Sequence, residues 1–271
     1  MSSGSANERA ATGPVPHVLP ALGIVLVAAG RGERLGGALP KAFTLLGGRT
    51  LIEHCLDAIR ALPHSGHIVL VVPDERASEA LALVAEAVPR TIPQTVPRTV
   101  PRDATWEISV VPGGRERHES VRFGLEALPE QVTEVLVHDA ARPLASTALF
   151  DRVIDELRRT GDSVIPVLPV VDTLKRVDGE GVVHETVDRS ALVSVQTPQG
   201  FPRELLAAAH ERLGLGSGDA GDAPTDDAEV VQRADGLVRT VSGEMLAHKL
   251  TTPEDLELLE ALLANTRGAG R

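Results

Sequence analysis

Glycines are concentrated between Gly30 and Lys41, and two cations, Arg34 and Lys41, bracket the end of this stretch. The stretch follows a continuous apolar run. Glycines let the backbone turn sharply and approach a ligand, and backbone N–H groups beside cations attract phosphate. The spacing fits neither a Walker loop nor the dinucleotide fingerprint. Taken alone, the stretch predicts a polyphosphate site, with a glycine-rich surface turn as the alternative.

Two further stretches carry groups of the same kind. Gly114 is followed by Arg117 and Ser120, and Asp139 ends another apolar run before two alanines. An Asp at the end of a buried strand, with small residues after it, is a natural ligand for a metal or a ribose. Each stretch also has a simpler interpretation, an ordinary strand-to-helix turn or a turn cap. Their meaning therefore depends on whether the fold brings them together.

A fold of alternating strands and helices would bring these stretches together. Thr50 and Glu53 form a capping box that predicts the start of the first helix, and Ser146 and Gly161 bound a later one. Such alternation is typical of a mainly parallel sheet, in which all strands end at one edge. The predicted strands are 23–29, 67–72, 107–111, 134–137, 192–197 and 237–241. The glycine stretches and Asp139 are thus predicted to lie at the same edge of the sheet.

The composition excludes several classes of protein. A net charge of −11 argues against non-specific binding to nucleic acid or to an anionic membrane, and 2% aromatic residues provide no stacking platform for single strands. No apolar run approaches the roughly 20 residues of a membrane helix, and the first 20 residues do not resemble a secretory signal. The single cysteine, Cys55, is predicted to be a buried thiol. We expect a cytoplasmic protein without nucleic-acid or membrane partners.

The domain prediction separates one folded unit from its additions. Residues 21–265 form the predicted domain, with a disordered tail at 1–20 and a frayed tail at 266–271. Prolines at every fourth position predict an extended surface insertion at 88–103, because they are incompatible with a helix or a central strand. Alternating residues around a glycine turn predict a β-hairpin at 171–190. Since this hairpin has little core of its own, we expect it to lean on a partner.

Eight motifs resemble, in order and spacing, those of the 2-C-methyl-D-erythritol 4-phosphate cytidylyltransferases. They are AAGRGERLGGALPK, GGRERHES, VHDAARP, DTLKR, TVDR, QTPQGF, TDDAE and KLTTPEDL, and the resemblance covers roughly residues 22–264. It implies an α/β fold with a Rossmann-like, mainly parallel mixed sheet, helices on both faces and a protruding hairpin arm. It also implies a reaction in which CTP and methylerythritol phosphate give 4-diphosphocytidyl-2-C-methyl-D-erythritol and pyrophosphate, a step in isoprenoid precursor biosynthesis.

The resemblance also implies roles for individual residues. Arg34, Lys41 and Lys249 would be the catalytic cations, and Asp139 would bind Mg²⁺. The nucleotide-binding residues would be Ala28, Ala29, Gly30 and Gly32 at the phosphates, Gly114, Arg117 and Ser120 at the cytosine, and Asp139 and Ala140 at the ribose and metal. The acceptor-binding residues would be Thr197, Thr225 and Lys249, joined by Thr173 and Arg189 from the hairpin of a second subunit. The resemblance therefore implies a homodimer through segment 171–190.

Two other functions remain open from the sequence. A related enzyme acting on ribitol 5-phosphate would keep the nucleotide motifs and alter the acceptor site. A non-catalytic nucleotide-binding protein on the same fold would tolerate loss of the phosphate-binding cations, which are all present here. Two departures from the family pattern, Ala42 and Arg115, affect fine contacts to the nucleotide more than the reaction.

Overall fold

The computed structural model describes residues 21–30, 32, 39–86, 105–215 and 223–268. Arg34, the tail at 1–20, the proline-rich segment 88–103 and the last three residues of the tail at 266–271 lie outside the described residues. The predictions made for them therefore stay predictions.

Strands and helices alternate through the first half of the chain, as the apolar runs predict. In chain order the elements are β1 (Ala21–Val27), β2 (Leu45–Leu46), β3 (Arg49–Thr50), α1 (Leu51–Arg60), β4 (Gly66–Val72), α2 (Ala77–Glu86), β5 (Trp106–Pro112), α3 (Arg117–Glu126), β6 (Val132–Asp139) and α4 (Thr147–Thr160). Thr50 and Glu53 form the predicted capping box of α1. Ser146 caps α4, which ends at Gly161 with φ 72°. These local signals in the sequence thus predict the helix ends correctly.

The second half contains more strands than the sequence predicts. Its elements are β7 (Ser163–Pro169), β8 (Leu174–Val177), β9 (Val183–Val187), β10 (Val193–Val195), β11 (Gln199–Pro202), α5 (Arg203–Leu215), α6 (Asp227–Arg233), β12 (Val238–Ser242) and α7 (Pro253–Gly268). The predicted strand 192–197 is shorter, and β7 and β11 were not predicted. Strands β8 and β9 pair as the predicted antiparallel hairpin. Helix α7 continues to Gly268, beyond the expected end of the domain.

Eight strands of the described chain form one mixed, mostly parallel sheet. From β7 the neighbouring strands are β11, β6, β1, β4 and β5 in that order. Strand β10 pairs with β7 on the same edge as β11, and β12 pairs with the other edge of β7. Strands β1, β4, β5 and β6 are mutually parallel, whereas β11 runs antiparallel to β6 and β7. The start of β11 therefore lies beside the carboxyl end of β6, with Gln199 opposite Val137. A reversed strand thus contributes residues to the edge where its neighbours end.

Helices cover both faces of this sheet, as predicted. One core lies between the sheet and α1, α2 and α4, and includes Leu26, Ile52 and Phe150. The other lies under α3, α5 and α6 and includes Val25, Val121 and Val230. Alternate residues of β1 thus point into opposite cores, as expected for a strand buried on both faces. Cys55 is buried in the first core, where desolvation raises the pKa of its thiol, in agreement with the predicted inert thiol.

Candidate functional site: two adjoining cavities at the carboxyl edge of the sheet

Two open cavities meet at the carboxyl edge of the parallel strands. The larger, of about 680 Å³, lies over the loops that follow β1 and β5. The smaller, of about 220 Å³, lies beside the end of β10 and the starts of β11 and α6. Arg117, Asp139 and Lys249 line both cavities. These three residues form the shared wall, the charged boundary between the two cavities.

The first glycine stretch borders the larger cavity. Ala28, Ala29, Gly30, Gly32 and Lys41 all line it. Gly32 has φ 69°, and a Cβ added there would lie 2.7 Å from the Cβ of Lys41. Only glycine therefore fits where the loop passes the lysine. The backbone and Lys41 thus face the same cavity, the arrangement expected of a phosphate site.

The second glycine stretch also borders the larger cavity. A Cβ added to Gly113 would lie 2.3 Å from the Cβ of Ala29, so the two loops pack directly against each other. The N–H of Gly114 donates to Ser120 Oγ at 3.0 Å, and this hydroxyl donates to the carbonyl of Glu116 at 3.2 Å. Gly114 and Ser120 both line the cavity, so their predicted position near a nucleotide base is compatible with the geometry.

Asp139 is the centre of the shared wall. Its Oδ1 accepts a hydrogen bond from Arg117 Nε at 3.0 Å, and its Oδ2 accepts one from Lys249 Nζ at 2.8 Å. Burial would raise the pKa of this carboxyl, but Arg117 and Lys249 outweigh the burial and hold the pKa well below its ordinary value. Asp139 is therefore ionised at neutral pH. Two cations converge on it from α3 and from the segment before α7.

Arg117 lies on the shared wall and lines both cavities, and its role at the cytosine, which the resemblance implies, stays a prediction. Its Nη1 lies 2.8 Å from Oδ2 of Asp227, at the start of α6, while Nε and Nη2 face Asp139 Oδ1. Burial opposes the charge of this guanidinium, but the two carboxylates raise its pKa above the ordinary value. Arg117 is thus a fixed cation that bridges two carboxylates.

Thr197 joins the smaller cavity to Asp139. The N–H of Asp139 donates to Thr197 Oγ1 at 3.1 Å, and the same oxygen lies 3.1 Å from Nδ1 of His138. Desolvation lowers the pKa of the buried His138 to about 4, so its ring is neutral at pH 7. The Thr197 hydroxyl can then donate to Nδ1 while accepting from Asp139. Thr197 and Thr225 both line the smaller cavity, as their predicted roles require.

The segment that carries Lys249 is held by two polar side chains, the partly buried Arg142 and the buried Gln196. Arg142 donates to the carbonyls of Ala247 at 2.7 Å and Val195 at 3.2 Å. Gln196 exchanges hydrogen bonds with the backbone of Glu244, at 2.9 Å and 3.0 Å. Arg142 thus anchors the backbone of this segment to the end of β10. Lys249 therefore reaches Asp139 from a fixed backbone.

Three predicted residues lie away from the cavities. Ala140 is fully buried, and its N–H donates to the carbonyl of Val27 at 2.9 Å, while Ala141 faces the larger cavity instead. Thr173 and Arg189 are exposed at the base of the β8–β9 hairpin and line neither cavity. Within one chain, these two hairpin residues therefore do not meet the other predicted site residues.

The structure adds two residues that sequence reasoning did not assign to the site. Gln199 Nε2 donates to Asp226 Oδ2 at 2.9 Å, and its Oε1 accepts from the N–H of Ala228 at 3.1 Å. Asp227 is fully buried. The sequence pattern could have indicated that Asp227 is buried, because it shares a helical face with Val230 and Val231. An acidic residue on such an apolar face is seldom buried without a partner.

The candidate metal ligand fits a cation that phosphates help to hold. Among the described residues, no group of three or more His, Cys, Asp or Glu side chains is arranged to bind a metal. Asp139 is the carboxylate that lines both cavities, and Mg²⁺ commonly takes one or two carboxylates together with substrate phosphates and water. A single carboxylate between the two cavities is compatible with that pattern. No described helix is long and apolar enough to cross a membrane.

Comparison with known proteins extends over nearly all of the chain. Residues 22–265 match the family described as IspD, 2-C-methyl-D-erythritol 4-phosphate cytidylyltransferase. An enzyme of that name from Nocardia farcinica is 46% identical over 87% of this chain and 91% of its own length. The bifunctional enzyme IspD/IspF of Clavibacter michiganensis is also 46% identical, over 93% of this chain but 56% of its own length.

Solved structures show the same fold. The 4-diphosphocytidyl-2C-methyl-D-erythritol synthase of Anaerococcus prevotii superposes with a TM-score of 0.72 at 28% identity, covering 90% of this chain and 99% of its own. The 2-C-methyl-D-erythritol 4-phosphate cytidylyltransferase of Thermus thermophilus gives 0.66 at 35% identity, covering 91% and 100%. The chain therefore belongs to the 2-C-methyl-D-erythritol 4-phosphate cytidylyltransferase family.

Proposed function

We propose that this protein transfers a cytidylyl group from CTP to 2-C-methyl-D-erythritol 4-phosphate and releases pyrophosphate. The observation that carries the proposal is the shared wall, since two cavities of unequal size meet at Arg117, Asp139 and Lys249. A cavity of about 680 Å³ is of the size that holds a nucleotide. The smaller cavity suits a short phosphorylated polyol. Family membership supports the identity of both substrates.

The proposed reaction is a displacement at phosphorus. An acceptor phosphate oxygen attacks the α-phosphorus of CTP, and the bond from that phosphorus to the bridging oxygen of pyrophosphate breaks. The attacking oxygen is already ionised, so no residue has to remove its proton. Because two anions must approach each other, the site gains most from charge neutralisation and alignment.

The cations of the site are placed for that task. Lys41 faces the larger cavity, where it would bind the triphosphate and stabilise the charge on departing pyrophosphate, with Arg34 proposed beside it. Lys249 faces both cavities and would hold the acceptor phosphate next to the α-phosphate. Asp139, with the phosphates, would bind Mg²⁺, which supplies further neutralisation of phosphate charge when bound. The residues of the chain thus align the two substrates and carry the opposing charge.

A pyrophosphate-release assay tests this proposal. The protein is given CTP with 2-C-methyl-D-erythritol 4-phosphate or with ribitol 5-phosphate, with and without Mg²⁺. We expect turnover with the methylerythritol phosphate and CTP that depends on Mg²⁺. Preference for ribitol 5-phosphate would assign the other acceptor, and CTP binding without turnover on either acceptor would identify a non-catalytic nucleotide-binding protein.

We further propose that the β8–β9 hairpin completes the acceptor site of a second copy in a homodimer. Supporting this, the hairpin exposes Val177, Val182 and Val183, each more than half accessible, and its Arg189 lies outside both cavities of its own chain. Such apolar exposure is typical of a surface that packs on a partner.

Subunit mixing tests the proposed arm. Arg189→Ala and Lys249→Ala proteins, each of low activity, are mixed and allowed to exchange subunits. If Arg189 serves the partner's site, a mixed dimer contains one intact site, so activity should rise on mixing. Absence of any recovery, with exchange verified by mass, would show that both residues act within one chain.

A further inference from the structure

We propose that Asp227 is a positioning residue, which holds Arg117 in the orientation that lets Asp139 and Lys249 serve both cavities. The inference rests on the proposed function, because it concerns the geometry of the same site. Asp227 itself lines neither cavity, so it would act through Arg117 and not on a substrate.

The contacts of Arg117 divide its guanidinium between two carboxylates. Nε and Nη2 face Asp139 Oδ1, each at 3.0 Å, while Nη1 lies 2.8 Å from Asp227 Oδ2. A planar guanidinium presents its donors in a fixed fork, so fixing one side sets the direction of the other. Asp227 therefore determines how Arg117 meets Asp139, and leaves Asp139 Oδ2 to Lys249.

Asp227 depends on Arg117 for its charge balance. Its side chain is fully buried, and neither carboxylate oxygen accepts a well-aligned hydrogen bond from the described residues. A second basic side chain, His210, has its Nε2 3.8 Å from Asp227 Oδ1. Desolvation lowers the pKa of His210 to about 4, so this ring is neutral at pH 7 and supplies no positive charge. Arg117 is thus the cation that faces Asp227.

Stability alone gives a poor reason for this arrangement. Burying a carboxylate and a guanidinium together costs about as much desolvation energy as their attraction returns, and apolar replacements are often no less stable. The pairing of Asp227 with Arg117 is better explained by the orientation that it gives to Arg117 on the shared wall. In addition, Asp227 directly follows Thr225 and Asp226, which line the smaller cavity. Adjacent residues at the start of α6 therefore line the smaller cavity and fix the orientation of Arg117.

The main test replaces Asp227 by asparagine, which keeps the shape of the side chain and removes its charge. We expect kcat to fall by ~10- to 100-fold, because a misplacement of about 1 Å in a reacting geometry can cost that much. The KM for CTP should change by less than about threefold, since Asp227 touches no substrate. The matched control is Glu134→Gln, which breaks the ion pair with Arg158 Nε at 2.9 Å, outside both cavities, and should leave kcat unchanged.

A double-variant cycle with Arg117→Lys separates positioning from a general structural effect. Lysine keeps one positive charge but cannot bridge two carboxylates, so this variant should lose activity by itself. If Asp227 acts through Arg117, adding Asp227→Asn to Arg117→Lys should cause little further loss in kcat. Losses that multiply, or an Asp227→Asn protein as active as Glu134→Gln, would overturn the inference.

Two measurements keep the outcomes distinct. Thermal unfolding of each variant shows whether it is folded. If Asp227→Asn does not fold, the Arg117→Lys variant is used instead, and a wild-type kcat in that variant would overturn the inference. The wild-type protein is assayed in the same series. Its failure to release pyrophosphate with either acceptor would reject the proposed function, whereas an active wild type with an equally active Asp227→Asn protein would reject this inference alone.

Discussion

Replacing Lys249 by methionine removes one charge from the shared wall while keeping most of the aliphatic side chain. Lys249 Nζ donates to Asp139 Oδ2 at 2.8 Å, and the residue lines both cavities. In the proposed reaction this ammonium group faces the phosphates that must approach each other. The substitution therefore tests how much of the catalysis comes from a single positioned cation.

The expected loss follows from the electrostatics of the site. A unit charge about 4 Å from a phosphate is worth ~4 kcal/mol at an effective dielectric constant of about 20. Since each 1.36 kcal/mol changes a rate about tenfold, kcat/KM for the acceptor should fall by ~100- to 1,000-fold. The cost to folding should be smaller, about 1 kcal/mol, because the Lys249 side chain is 42% exposed and Asp139 keeps Arg117 as a partner.

Initial rates of pyrophosphate release, measured against each substrate in turn, check this expectation. Arg239→Met is the control, because it removes a cation paired with Asp162 at the sheet margin, outside both cavities. A Lys249→Met protein that is folded and within about threefold of wild type in kcat/KM would refute the electrostatic reasoning. A large loss accompanied by an equally large drop in unfolding free energy would refute the separation of catalysis from folding.

Three further predictions concern the arm, a helix cap and pH. Arg189→Ala should raise the KM for the acceptor more than that for CTP, and equal effects on both in steady-state kinetics would contradict the arm. Thr50→Ala should lower the unfolding free energy by about 1 kcal/mol in urea titrations, because its hydroxyl accepts from the Glu53 N–H at 3.2 Å; an unchanged midpoint would contradict the cap. His138 has its pKa lowered to about 4 by burial, so the unfolded chain binds a proton first as pH falls. The unfolding free energy should therefore decline by at most about 1.4 kcal/mol per pH unit as the pH falls from about 6.5 to about 4. His138→Asn should flatten this part of the plot of unfolding free energy against pH.

The parallel half of the fold could be predicted because its local signals agree with its tertiary structure. The apolar run at β1, the capping box at Thr50 and the glycine at Gly161 each have a physical cause that operates over a few residues. The position of Asp139 at the carboxyl edge followed from the same alternation. Strand β7 could not be predicted, because Pro166 and Pro169 argue against a strand that is paired on both sides.

The least predictable site features depend on long-range packing. Strand β11 follows Pro198, ends at Pro202 and runs antiparallel to its neighbours, so no periodicity marks it. In the TDD motif, Asp226 accounts for the helix cap by accepting from the Glu229 N–H at 2.8 Å. Asp227 shares the apolar face of α6 with Val230 and Val231, but its pairing with Arg117 becomes visible only once α3 and α6 are placed together. The loop residue Arg34 lies outside the described residues, and its role stays a prediction.

The reversed strand β11 has a consequence for how this enzyme family can diversify. Because β11 starts where its neighbours end, the chain supplies Thr197 and Gln199 to the smaller cavity from a segment separate from both glycine loops. Substitutions in that short segment can reshape one cavity while the other keeps its lining. If the smaller cavity takes the acceptor, as proposed, the order of the strands allows the acceptor cavity to change while the larger cavity keeps its lining, and Asp139 is the residue at which the two cavities still meet.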